Sequence, residues 1–166
     1  MNQENKEKFI VFVITLGSVG LVAENILLGW EFWVPAVMIG GIICLWAVGL
    51  SDQLDPEIRK SVYFGSAVLL LFYHGVHKTS FQDIAIAATL TMVAFSLLDR
   101  IYMMNAFLFE FFALLFIHLI DLPGGGRIVF DRLTTSRLML HAAIVLLVYI
   151  IEVRSIRERL DDREEQ

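Results

Sequence analysis

Apolar residues fill this chain in six stretches, at roughly 9–28, 32–50, 61–77, 84–98, 101–122 and 138–153, with short polar segments between them. None has the period-2 alternation of a barrel strand, and a bilayer leaves no water for backbone groups, so helices are the structure such runs can form there. The pattern predicts an all-α, polytopic membrane protein, a bundle of about six transmembrane helices. The third, fourth and sixth runs fall short of the ~20 residues that cross a typical hydrocarbon core and must recruit flanking residues or stand nearly upright. The last run continues without Gly or Pro into the charged segment 154–166, which keeps helical periodicity. A membrane domain over 1–153 and the start of a cytoplasmic helical extension over 154–166 follow.

The punctuation between runs agrees. Trp30-Glu31-Phe32-Trp33 ahead of Pro35 reads as a short aromatic turn, and Asp55-Pro56-Glu57 as a helix start with Asp at the cap and Pro at the first position. Asp99-Arg100 divides the fourth run from the fifth, Pro123-Gly124-Gly125-Gly126 ends the fifth, and Thr134, Thr135 and Ser136 offer caps for the sixth. The first run continues to Leu28, longer than the apolar region of a secretory signal, and lacks a small-residue cleavage pattern, so it reads as a span. Gly17, Gly20, Ala36 and Gly40 offer small surfaces for close helix approach.

Charge sets the orientation. With both termini inside, Lys6, Lys8, Arg59, Lys60, Arg100, Arg154, Arg157, Arg159 and Arg163 are cytoplasmic, against Lys78, Arg127, Arg132 and Arg137 outside. This places the chain in the plasma membrane, multi-pass, with N and C termini cytoplasmic. The hydrophobic fraction of 57% and a net charge of -5 fit a membrane protein and give no nucleic-acid surface. The lone Cys44 excludes an internal disulfide.

On this topology the histidines gather at one side. His74 and His77 end the third run, Asp83 opens the fourth, His118 and Asp121 close the fifth, His141 begins the sixth, and Glu24 lies far out along the first. Imidazoles with carboxylates can hydrogen-bond carbonyls or water, sense a ligand or protons, or hold a transition metal; His74 and His77 at i, i+3 share a helical face. No cofactor is expected, because haem ligation needs opposed helices at matched depth. Deeper polar groups are Asn25 beside Glu24, with Ser18 and Thr15 forming a stripe, and Glu110, for which Asn105 is a partner about a turn away. Such stripes more often join helices than line a path. The chain has no His-Glu-x-x-His, Gly-x-Ser-x-Gly or phosphate-loop motif, and reads as no enzyme.

Tyr149, Val153, Ile156 and Leu160 follow 4-3-4 spacing, an apolar seam running from the last span into water. The seam suits a parallel homodimer; a solvated amphipathic tail is the alternative, and Arg154, Arg157 and Arg159 could rest on anionic lipid headgroups. The strings Gly29-Trp30-Glu31-Phe32-Trp33-Val34-Pro35, Tyr73-His74-Gly75-Val76-His77-Lys78-Thr79-Ser80-Phe81 and Phe95-Ser96-Leu97-Leu98-Asp99-Arg100-Ile101-Tyr102-Met103-Met104-Asn105 resemble the amino-terminal membrane region of bacterial sensor histidine kinases, often hybrid ones. The resemblance implies a sensor domain of a two-component system whose partner is a downstream kinase or other cytoplasmic output domain. No phosphoacceptor or nucleotide motif lies in these residues, so the chain is expected to be either a sensor half or a stand-alone membrane partner. The leading expectation is an input domain that senses a ligand, ion or pH at its outer side and transmits through the last helix. The alternative is a small transporter or channel using Glu24, Glu110 and the histidines; the absence of internal repeats disfavours it.

Overall fold

The computed structural model describes residues 3–51, 53–120 and 131–165, and everything in it is helix or turn. Six α-helices are described: α1 (Gln3–Leu28), α2 (Val34–Gly49), α3 (Pro56–Val76), α4 (Ile84–Ser96), α5 (Ile101–Leu119) and α6 (Arg132–Glu164), with a short 3-10 helix, Lys78–Gln82, before α4. Three of them, α1, α5 and α6, are long and apolar enough to cross a membrane, while α2 and α4 are shorter apolar helices. The chain divides into two compact units, 1–70 and 71–166, with α3 contributing its first turns to one and its last to the other.

In the first unit α1 packs on α2. The buried face of α1 carries Glu7, Val11, Ile14, Ser18, Leu21 and Asn25, alternating four- and three-residue steps that keep one stripe on one side of a helix. Its polar members join rather than break the packing. Ser18 Oγ donates back to Ile14 O at 2.8 Å, and Thr15 accepts from Trp46 Nε1 of α2 at 3.0 Å. The helix closes at Gly29, whose φ of +67° is the left-handed position that favours glycine, with Trp30 N–H bonded to Asn25 O. Among the described residues nothing lies within 4 Å of a Cβ built at Gly17, Gly20 or Gly40, so these glycines mark no close helix approach within the chain. α3 starts as its sequence predicts: Glu57 N–H bonds Asp55 Oδ1 at 2.7 Å and Pro56 takes the first helical position.

In the second unit α4 lies against both α5 and α6, and α5 also touches α6. The core is Met92, Phe95, Met103, Met104, Phe107, Phe111 and Leu114, with the Phe95 and Phe107 rings edge-on at 5.2 Å. α6 begins at Arg132, six residues before the expected span. Its cap is Asp131, not the Thr-Thr-Ser run: Thr134 N–H bonds Asp131 Oδ1 at 2.7 Å, and this bond holds the Asp131 carboxyl below its usual range. From there the helix runs unbroken to Glu164, as the lack of Gly and Pro predicts. The expected break at Pro123 to Gly126 lies outside the described residues.

The apolar core coexists with an apolar exterior and a few buried polar groups. Large apolar side chains point outward along the helices, among them Phe12, Leu27, Leu69, Phe109, Met139 and Ile150, while Glu7, Ser18, Asn25, Glu110 and His118 are buried.

Candidate functional site

Between α4 and α5 the chain turns in four residues, and Asp99 takes it round with φ +57°, a left-handed conformation that aspartate tolerates better than most residues. The turn leaves the Asp99 carboxylate almost wholly buried, and two arginines from the charged end of α6 close on it. Arg159 Nε donates to Oδ1 at 2.6 Å and Arg163 donates to Oδ2 at 2.5 Å. Arg159 spends its remaining nitrogens on Ser96 O, at 2.8 Å, and Ser155 Oγ, at 2.5 Å. The guanidinium thus ties together the last residue of α4, the turn and α6. Charge-assisted bonds of this length are the strong class, and a carboxylate this buried needs them.

The seam on α6 runs into this latch. Val153 and Ile156 are buried, Leu160 is half-buried, and Tyr149 OH donates to Asn105 Oδ1 of α5 at 2.8 Å. The 4-3-4 spacing does mark a packed face, and within this chain that face meets its own α4 and α5. Arg154, by contrast, pairs with Glu158 on the exposed side of the helix at 2.8 Å. Sequence reasoning missed the latch, although a single acid in a tight turn between two apolar runs was the available signal.

At the opposite end of α5, His118 is buried and its Nε2–H donates to Gly75 O at 2.7 Å, its ring standing edge-on to Phe81. Gly75 permits this closeness, since a Cβ there would lie 2.5 Å from Leu114 Cδ1 and 2.7 Å from Ile84 Cδ1. His77, just past the end of α3, donates from Nδ1 back to Tyr73 O of that helix at 2.7 Å. Ser80 Oγ is buried beside them without a hydrogen-bond partner. His74 is half-buried near the end of α3, Asp83 is exposed at the start of α4, and His141 is half-buried on α6. The structure therefore joins His118 to the α3 turn that carries His74 and His77. Among the described residues no three His, Cys, Asp or Glu side chains converge on one metal position. Asp121 lies outside the described residues. Glu24 and Asn25 belong to the first unit, half-buried and buried respectively.

Glu110 sits mid-α5, 8% exposed, and neither oxygen has a hydrogen-bond partner. Asn105, expected as its partner, is engaged by Tyr149 instead.

Searches against family models, curated proteins and solved structures return no match for this chain.

Proposed function

We propose that this chain is the membrane-embedded input domain of a bacterial signal-transduction protein, crossing the membrane with about six helices and holding both termini on the cytoplasmic side. The observation that carries the reading is α6: one helix of 33 residues, apolar through its middle, charged at its end, and latched at that end through Asp99. At 1.5 Å per residue it is about 50 Å long, well beyond a hydrocarbon core of about 30 Å. Its charged third extends into water, where an output domain would attach. The outward apolar and inward polar side chains support the membrane location, as does the lysine and arginine asymmetry. Six crossings require α2 and α4 to recruit their flanking residues.

In this mechanism the latched and unlatched positions of α6 are the two states. A stimulus at the end that carries His74, His77, His118 and His141 shifts their balance only as far as it binds one state better than the other. The resemblance to sensor histidine kinases makes a kinase the first output module to try. The test is a chimera in which α6 continues in register into a histidine-kinase core. Asp99→Asn should change autophosphorylation by about 5-fold or more, the lower range of allosteric couplings, and His141→Ala should alter the response to external pH or ligand. Unchanged output in both variants under every stimulus would refute the input role.

A second reading, a small transporter or channel, draws on Glu110 alone: an unpartnered carboxyl within a helix bundle is a plausible proton carrier. Proton or cation uptake into proteoliposomes that Glu110→Gln abolishes would favour it over the first.

A further inference from the structure

The seam expected to pair two copies is taken up inside the chain, where Val153 and Ile156 are buried and α6 meets α4 and α5. Leu147 precedes Ile156 by two and a half helical turns and so lies about 180° round the helix from it. On that outer side a second seam runs down α6. Leu140, Ile144, Leu147 and Ile151 repeat the 4-3-4 spacing and are 42–59% exposed, whereas Val153 is 8% and Ile156 0% exposed. Of the three helices long and apolar enough to cross a membrane, α6 is the least buried within the chain.

Exposure alone is what any lipid-facing helix shows; the order of the residue types is not. Fluid acyl chains make no distinction between isoleucine and leucine, but knobs-into-holes packing does. In a parallel pair, isoleucine at the first core position of each heptad and leucine at the fourth favour two strands. Ile144 and Ile151 hold the first position here, and Leu140 and Leu147 the fourth. Ala143, exposed on the flank of this seam, keeps that flank small, which lets two backbones approach. Carried on toward the cytoplasm, the same spacing reaches Arg154 and Glu158, which pair with each other at 2.8 Å. About a two-fold axis these charges cancel, and each arginine can share the glutamates of both copies. A face whose charged end complements itself fits a second copy of the same face.

We infer that this outer face of α6 is the interface for a second copy of the chain, the two helices running parallel along Leu140, Ile144, Leu147 and Ile151 and ending in a neutral ring of Arg154 and Glu158. Copies inserted into one membrane with the same orientation are related by rotation about the membrane normal, so their α6 helices meet in parallel. The inference rests on the membrane location proposed above and not on the signalling role. It uses none of the residues of the Asp99 latch, which stays closed within each copy.

The experiment is oxidative cross-linking of the full chain in its membrane, with one cysteine placed at a time in a Cys44→Ala background, since Cys44 is exposed. Leu140→Cys, Ile144→Cys, Leu147→Cys and Ile151→Cys should give disulfide-linked dimer in about 5-fold or higher yield than Met139→Cys and Leu146→Cys, which replace side chains that are also exposed but lie about a third of a turn away. Arg154→Glu should cut the Leu147→Cys dimer about 3-fold by leaving only acids at the axis, and adding Glu158→Arg should restore it. Equal yields at the two sets of positions, or dimer at none, overturn the interface, and linkage only to other polypeptides overturns the second copy as its occupant. An undiminished yield with Arg154→Glu overturns the register that joins the apolar seam to the charged tip. Release of the chain from membranes by alkaline carbonate would refute the membrane location itself; a firmly embedded chain that forms no dimer refutes only this interface.

Discussion

Each unit buries a carboxylate and meets it with arginine, but the two are finished differently. Asp99 receives two arginines from α6, and Arg159 uses every arm of its guanidinium on the turn and on its own helix. Glu7 receives one arginine and the amide of Gln3, and a cavity of about 280 Å³ lies beside the pair. A closed network has two preferred arrangements, made and broken, which suits a device that holds or lets go of a helix. The difference lies in the charge of the donors, two guanidiniums on Asp99 against one guanidinium and one neutral amide on Glu7, not in the depth of burial, since Glu7 and Asp99 are 6% and 8% exposed.

Five substitutions probe this contrast. Asp99→Ala should have the largest effect: it strands two arginines and forces an alanine into the left-handed region, a loss of about 3–4 kcal/mol in thermal unfolding of the detergent-solubilised protein. Asp99→Asn keeps the backbone preference and should lose less, so the gap between the two variants measures the turn separately from the charge. Next comes Arg159→Ala, at about 2–3 kcal/mol, because it removes three bonds and one of the two arginines that hold Asp99. Arg59→Ala in the first unit should cost about 1–2 kcal/mol by the same assay, since Gln3 still donates to Glu7. Arg163→Ala should be the mildest, about 0.5–1 kcal/mol, its side chain being more than half exposed. An Arg163 effect equal to that of Arg159 would mean that the bond to Ser96 O contributes nothing and the latch is a simple ion pair.

What could be read in the sequence followed local chemistry. Asp55 and Pro56 announced the start of α3 because cap and ring act within three residues. The missing Gly and Pro announced the continuity of α6. Its beginning was misplaced because Arg132, Thr134, Thr135 and Arg137 read as polar loop, whereas the Asp131 cap and the Thr135 bond back to Asp131 O make that segment the first turn of the helix. The 4-3-4 spacing of Tyr149, Val153, Ile156 and Leu160 marked a packed face, yet a periodicity carries no address for its partner. Asp99 read only as a separator, since nothing near it in the chain indicates arginines sixty residues on. The glycines illustrate the same limit: Gly17, Gly20 and Gly40 fit a packing motif and meet nothing among the described residues, while Gly75 fits none and sits against Leu114.

The continuity of α6 has a consequence for its angular phase. Each residue advances an α-helix by about 100°, so one residue inserted after Ile151 would swing Arg159 and Arg163 a quarter turn or more away from Asp99, whereas seven would return them to within about 20° of their starting azimuth, displaced by some 10 Å along the axis. With no glycine or proline between the apolar middle and the charged tip, the shaft has no joint in which such a twist could be absorbed.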